Sequence, residues 1–336
     1  MKLGSAREGL IGVVGAGAWG TALAQMIAAD GTPVKLWARD PGLAKAINTQ
    51  RRNQPYLPSA QLSASIEATG DLADMAECAA LLMVTPAQHM GEVLQQMQRF
   101  PRDLVLCSKG IEAGTGRMMH TVAHEIAPDA DIAVLSGPTF AHEVAAGLPT
   151  AVTLACGGGE EQWDRIAPSI ARPAFRPYYS EDVIGAEVGG AVKNVLAIAC
   201  GVVDGLQLGQ NARAALITRG FAELARFGSI QGANFDTMAG LCGLGDLVLT
   251  CSSTSSRNFS LGKALGEGMS AEEALADKRT VAEGAHTAPV LRDLADRHGV
   301  SMPITEAVNA LLEGVPAREV VQGLLARPLR AEGPRR

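Results

Sequence analysis

Residues 10–30 read LIGVVGAGAWGTALAQMIAAD, and the fold class turns on this stretch. Its first five residues are apolar on both faces, as expected of a strand covered by helices on each side. Gly15-x-Gly17-x-x-Gly20 follows directly and opens a segment with helical spacing. A strand, a glycine turn and a helix in that order form the fingerprint of a dinucleotide site. Gly15 permits the tight turn, Gly17 lets the backbone approach a pyrophosphate, and Gly20 allows close helix–strand packing. The anion then rests on free N–H groups at the helix N-terminus. The competing reading is an ordinary glycine-rich turn, and the flanking strand and helix speak against it.

The same texture continues outward. TPVKLWA (32–38), AALLMVT (79–85), DLVLCSK (103–109), DIAVLSG (131–137) and PTAVTLAC (149–156) are further strand-like runs. Helical segments such as AQHMGEVLQQMQRF (87–100) lie between them. This alternation predicts an α/β N-terminal domain, a Rossmann-type doubly wound sheet with mostly parallel strands. After FRPYYSED (175–182) the pattern changes to long helical segments joined by glycine-rich turns. We therefore expect a dinucleotide-binding domain over residues 1–183 and an all-α C-terminal domain for substrate and catalysis over 184–330. A basic, frayed tail is expected over 331–336.

The bulk composition narrows the function. Of 336 residues, 47% are hydrophobic and 19% charged, which suits globular domains with large cores. The net charge of −6 disfavours a general nucleic-acid binder, so any anionic ligand must be held by local cations. The first ten residues lack the apolar core of a signal peptide. No uninterrupted apolar run reaches 18 residues, so no membrane insertion is expected. Six scattered cysteines with no CxxC pair suggest reduced thiols in a cytoplasmic protein.

Candidate site residues come from three places. At the tip of the second strand stands Arg39, followed by Asp40. An acidic residue there would hold the ribose hydroxyls of NAD, whereas an Arg pairs with the 2′-phosphate of NADP. The reading leans to NADP with NAD as the alternative, and a solvated Arg beside a helix start also remains open. In GAEVGGAVKNVLAIACG (185–201), Lys193 sits in an apolar helix with Gly189 and Gly190 on the same face. Those glycines suggest an open notch for a ligand, and burial would lower the lysine pKa enough for proton exchange near neutrality. A lysine snorkelling to the surface is the alternative. In GLCGLGDLVLTCSSTSSRN (240–258), Asp246 lies among glycines and apolar residues and calls for a partner. Ser256, Arg257 and Asn258 precede a helical pattern, where capping and helix polarity favour a phosphate. Lys109 directly follows a strand, the end at which open α/β sheets bind ligands. LSGPTFAHE (135–143) occupies the same kind of position one strand later. His120 and His124 lack the zincin order and read as a half-exposed helix face, and no metal site is expected.

Taken together, GAGAWGTALA, LCSKGIE, LSGPTFAHEVAAGLPTA, GGAVKNVLAIACGV, ITRGFAEL, GLCGLGDLVLTC, SSRN and TVAEGAHTA resemble the bacterial-type NAD(P)-dependent glycerol-3-phosphate dehydrogenases. The resemblance runs over nearly the whole chain, in the family's order and spacing. It implies a homodimer that interconverts sn-glycerol 3-phosphate and dihydroxyacetone phosphate, and so supplies phospholipid synthesis. It implies that Lys193 is the catalytic lysine. It places Lys109, Gly137, Thr139, Lys193, Asp246, Ser256, Arg257 and Asn258 at the substrate. It places Ala18, Trp19, Arg39, Lys109, Ala141, Arg257, Val281 and Glu283 at the cofactor, beside Gly15, Gly17 and Gly20. Tyr56 in NQPYLP is a further cofactor candidate, or a loop-packing aromatic. Phe259 and Ser260 depart from the family, which often carries basic residues there. Two other readings compete: a two-domain dehydrogenase acting on a hydroxy acid, and a non-catalytic NADP sensor.

Overall fold

The computed structural model describes residues 9–276 and 282–329. One sheet is formed by β1 (Ile11–Val14), β2 (Val34–Trp37), β3 (Ile66–Thr69), β4 (Ala80–Met83), β5 (Asp103–Leu106), β6 (Asp131–Ser136), β7 (Thr150–Cys156) and β8 (Phe175–Ser180). In space the order is β3-β2-β1-β4-β5-β6-β7-β8. Strands β1 to β6 pair in parallel, β7 runs antiparallel to β6, and β8 is parallel to β7. The chain winds outward from β1 in one direction and then, at β4, in the other. Their carboxyl ends therefore frame the switch point at which open sheets take ligands.

The helices of the sheet half are α1 (Ala18–Ala28), α2 (Pro41–Gln50), α3 (Ala87–Gln96), α4 (Met119–Ile126), α5 (Ala141–Ala145) and α6 (Gly159–Ile170). Alternate strand residues serve opposite faces. Val13, Leu82 and Val105 pack with Leu23 and Ile27 of α1, while Val14, Met83 and Leu106 pack with Met90 of α3 and Val122 of α4. Six strands coincide with the double-sided apolar runs in the sequence. β3 and β8 do not: β3 alternates buried and exposed residues, and β8 is an edge strand carrying Pro177 and exposed Tyr178. An edge tolerates proline and polar side chains because one row of its backbone groups is unpaired.

Beyond β8 the described residues are helical: α7 (Val183–Gly205), α8 (Gly209–Gln231), α9 (Phe235–Ala239), α10 (Asp246–Thr250), α11 (Arg257–Gly266), α12 (Ala271–Ala274), α13 (Glu283–Arg297), α14 (Pro303–Leu312) and α15 (Ala317–Leu325). A π-helical turn, Leu241–Gly245, leads into α10. Helix α7 is buried without a break from Gly185 to Val203. By length and composition it could cross a membrane, yet 89% of its most apolar window lies inside the protein, among α8, α11, α13 and α14. Near its start, Glu187 is buried and accepts the backbone N–H of His120 at 2.7 Å, and its other oxygen faces the His120 ring. His120 is thus half-buried, as a half-exposed helix face implies, and is tied to α7. The carboxylate also satisfies a free N–H in the first turn of α4, which has no side-chain cap of its own.

Helices α7 and α11 meet at backbone distance. A β-carbon on Gly201 would lie 2.0 Å from the Phe259 carbonyl oxygen, and one on Gly262 would lie 1.9 Å from that of Ile198. No side-chain rotation relieves a clash with backbone, so Gly262→Ala must push the helices apart. We expect a loss of about 3 kcal/mol in urea-induced unfolding. Gly323→Ala on α15, where an added β-carbon meets nothing within 4 Å, serves as control and should stabilise by roughly 0.5–1 kcal/mol through helix propensity.

Candidate active site

At the switch point, Gly15 has φ +120°, a conformation L side chains rarely adopt, and a β-carbon there would come within 3.0 Å of the Val84 backbone. A β-carbon on Gly20 would lie 1.9 Å from the Gly15 carbonyl oxygen, so the helix can follow the turn this closely only with glycine. Gly17 is the N-cap of α1, offers no side-chain cap, and has open space beside it. Ala18 and Trp19 form the first turn and are partly exposed. The indole N–H groups of Trp19 and Trp37 and the Thr85 hydroxyl are buried without a hydrogen-bond partner among the described residues. Buried polar groups are normally paired, so these three, together with an uncapped helix start, fit a cradle for a polar dinucleotide. Asp40 is committed to capping α2 through the Gly42 N–H at 2.8 Å, which leaves exposed Arg39 at the β2 tip. Tyr56 is 43% exposed on the loop after α2.

Two strands further on, Lys109 follows β5 and reaches under α7. Asp246, fully buried at the start of α10, stands between two ammonium groups. Its Oδ1 takes a hydrogen bond from Lys193 Nζ at 2.6 Å, and its Oδ2 takes one from Lys109 Nζ at 2.7 Å. Lys193 also donates to Thr250 Oγ1 at 3.0 Å, and that hydroxyl lies 3.2 Å from Asp246 Oδ1. Lys193 does not snorkel: it is 5% exposed. Burial, reinforced by the charge of Lys109 and only partly offset by Asp246, lowers the Lys193 pKa to about 8. Burial also works against the charge of Lys109, but there the Asp246 carboxylate prevails and the pKa is raised. Asp246 is disfavoured as an anion by burial, yet the two lysines hold its pKa below the usual carboxylate range.

The glycines before Lys193 correct one expectation. They do not leave an open notch. A β-carbon on Gly189 would meet the Cys242 carbonyl oxygen at 2.4 Å, and one on Gly190 would meet the Lys109 stem and Ser136 Oγ at 3.3 Å. Their smallness admits the π-turn backbone and the Lys109 side chain, and it is this close approach that brings Lys109, Lys193 and Asp246 together.

The SSTSSRN stretch ends on the N-terminus of α11. Ser256 is its N-cap and accepts the Phe259 N–H at 3.3 Å. Arg257 is exposed in the first turn. Asn258 is buried and largely committed to the protein: it donates to Asn194 Oδ1 at 3.0 Å and accepts the Gly284 N–H at 2.9 Å. One N–H of its carboxamide is left for a ligand. Phe259 is 2% exposed and belongs to the helical core, and Ser260 donates to the Thr254 carbonyl oxygen. Neither departure from the family puts a group into the site. Burial raises the Glu283 pKa, opposed by Arg257 and by a hydrogen bond from the Ala87 N–H, which places its carboxylate between α11 and the start of α3. The Gly137 carbonyl oxygen accepts from Lys109 at 3.4 Å and from the Thr139 hydroxyl at 3.3 Å. Ala141 opens α5 beside this loop. Val281 lies outside the described residues.

Three polar contributors escaped the sequence reading. Thr250 follows Asp246 by four residues, a spacing that shares a helix face and could have been noticed. Asn194, next to Lys193, has no such local signal; its partner is 64 residues away. Asn53 holds the glycine turn from 37 residues away and is equally silent in sequence.

A glycine turn at the switch point, a two-lysine carboxylate cluster and an Arg-bearing helix start now lie along one edge of the fold. Residues 10–162 match the N-terminal family of NAD-dependent glycerol-3-phosphate dehydrogenase, and residues 182–322 match its C-terminal family. The chain is 71% identical to the glycerol-3-phosphate dehydrogenase [NAD(P)+] of Novosphingobium aromaticivorans, over 96% of this chain and 98% of that one. Its fold is similar to the crystal structure of glycerol-3-phosphate dehydrogenase from Coxiella burnetii, with a TM-score of 0.90 and 39% identity over 95% and 99% of the two chains. D-mandelate dehydrogenase in complex with NADH shares the fold alone, at 14% identity and a TM-score of 0.59 over 93% and 99% of the chains. Sequence, architecture and the fitted turn agree: the chain belongs to the NAD(P)-dependent glycerol-3-phosphate dehydrogenases.

Proposed function

We propose that this chain reduces dihydroxyacetone phosphate to sn-glycerol 3-phosphate, reversibly, with Lys193 as general acid and, in the reverse direction, general base. The observation that carries the reading is Asp246 bridging Lys193 and Lys109 at the carboxyl edge of the sheet. The chemistry supplied by a bound reduced nicotinamide is hydride transfer to the ketone carbon. Lys193 donates its proton to the oxygen of that carbonyl as alkoxide charge develops. Lys109 stays charged and stabilises the same oxygen electrostatically. Asp246 keeps the lysines in one place and remains a carboxylate throughout. Arg257, the Ser256 hydroxyl, the remaining N–H of Asn258 and the α11 N-terminus hold the substrate phosphate, which positions the carbon. Gly137 and Thr139 line the substrate side.

Gly15, Gly17, Ala18, Trp19 and Gly20 would carry the pyrophosphate, and Ala141, Val281 and Glu283 the rest of the cofactor, with Tyr56 on the adjacent loop. Arg39 supports NADP over NAD, since Asp40 is engaged in capping. We place the domain boundary at residue 183, where α7 begins, with 1–183 binding the dinucleotide and 184–330 the substrate. Six buried, unbridged cysteines support a reducing, cytoplasmic setting. The family likeness supports a homodimer, and exposed Ile230, Phe235 and Val248 offer apolar surface for one. The product feeds phospholipid synthesis.

Purified protein given dihydroxyacetone phosphate and NADPH should consume the nicotinamide absorbance, and keto acids should not replace the substrate. Lys193→Ala should cut kcat by ~10²–10⁴; a loss under about tenfold overturns its role. The donating ammonium is lost as pH rises through about 8, so ketone reduction should fall there while glycerol phosphate oxidation rises. Asp246→Asn removes the group that raises the Lys193 pKa, and the limb of the pH–rate profile should move to lower pH. Arg39→Ala should lower kcat/KM with NADPH about tenfold, the scale of a charge-assisted hydrogen bond, and leave NADH within about twofold.

A further inference from the structure

Asn53 has no part in the roles above, yet its side chain is placed with care. It is completely buried. Its Nδ2 donates to the Ala16 carbonyl oxygen and to Thr21 Oγ1, both at 2.8 Å. The Thr21 hydroxyl lies 3.4 Å from the same carbonyl and donates to it. The loop that carries Asn53 is itself fixed. Arg51 ends α2 in the left-handed region at φ 53°, which turns the chain back toward the glycine turn. Asn53 and Leu57 form a β-bridge, the Leu57 N–H donates to the Asn53 carbonyl oxygen at 2.8 Å, and Leu57 is buried in the sheet core.

The consequence follows from peptide planarity. Within the Ala16–Gly17 peptide unit the C=O and N–H point in opposite directions. Holding the Ala16 oxygen on Asn53 aims the Gly17 N–H the opposite way, at the N-cap of α1, where the missing side chain also leaves open space. A flipped peptide would instead turn a carbonyl oxygen toward an incoming anion. We propose that Asn53 is a positioning residue for the cofactor: it locks the Ala16–Gly17 peptide in the orientation that offers an N–H to the pyrophosphate. The link also makes the loop bearing Tyr56 and the glycine turn one mechanical unit.

The inference rests on the cofactor reading above, and one experiment separates the two. NADPH is titrated into the parent chain and into Asn53→Ala, Asn53→Asp and Thr21→Val, by nicotinamide fluorescence, with Tm recorded and KM measured for both substrates. Asn53→Ala should weaken NADPH binding about tenfold to thirtyfold, the scale of a lost buried hydrogen bond, with the KM for dihydroxyacetone phosphate unchanged. Asn53→Asp keeps the shape but has no donor, so it should bind more weakly still. Thr21→Val leaves the Asn53 bond to Ala16 intact and should lose only about threefold, which keeps the idea testable if the Asn53 variants fold poorly. Binding within about twofold of parent in Asn53→Ala, an Asp variant milder than the Ala variant, or a parallel rise in both KM values would each overturn the proposal. A parent that binds no NADPH would overturn the cofactor reading itself.

Discussion

Two ammonium groups share one carboxylate inside this protein, and much of the architecture answers to that arrangement. A bare charge in the interior is costly, and removing one partner of a buried pair is costlier than never having had it. Asp246 spends one oxygen on each lysine. The three side chains come from the end of β5, the middle of α7 and the start of α10, so the balance of charge is also the joint between the sheet and the helices. It explains why α7 carries glycine at 189 and 190, where a β-carbon would clash with the π-turn backbone at 189 and crowd the Lys109 stem at 190. It also explains the asymmetry of the lysines. One carboxylate cannot fully compensate two buried cations, and the deficit falls on the less exposed Lys193, whose proton becomes exchangeable near neutral pH.

The polar groups along this edge divide into two kinds. Asn194, Asn258 and the Gly284 N–H are linked by hydrogen bonds that tie α7, α11 and α13 together, with one Asn258 N–H left over. Trp19, Trp37 and Thr85, in contrast, keep buried donors with no partner among the described residues; they stand in the first turn of α1, at the end of β2 and just after β4. The first set sets positions and the second leaves capacity for a ligand. Asn53 belongs to both kinds: its Nδ2 is committed to Ala16 and Thr21, while its buried Oδ1 has no partner among the described residues. Rigid support behind an unsatisfied surface is how a site binds an anion without first rearranging.

The folding logic of the helical half is different. α7 is apolar enough that composition alone would suit a membrane, but its neighbours meet it through glycine at backbone distance. Helices brought this close gain dispersion contacts that larger residues would prevent. The same closeness leaves α7 little freedom to rotate, and the direction of Lys193 is fixed along with it.

Much of this was readable from the order of residues. Periodicity exposed the six interior strands, because parallel strands buried on both faces have no polar residue to hide them. The glycine spacing after β1 marked the dinucleotide turn, because only glycine tolerates φ +120° at residue 15 and the contact at residue 20. Lys193, Asp246 and Arg257 stood out because charge in an apolar or capping context demands a reason. What the sequence could not hold was pairing at a distance. That Asp246 serves Lys109 as well as Lys193, that Glu187 binds His120, and that Asn53 grips Ala16 depends on segments from 37 to 137 residues apart being folded onto one another. Edge strands β3 and β8 were hidden for the related reason that an edge needs no sequence pattern of its own, only a neighbour to pair with. Local chemistry is written in the order of residues; which groups satisfy which others is decided by the packing that leaves them no other partner.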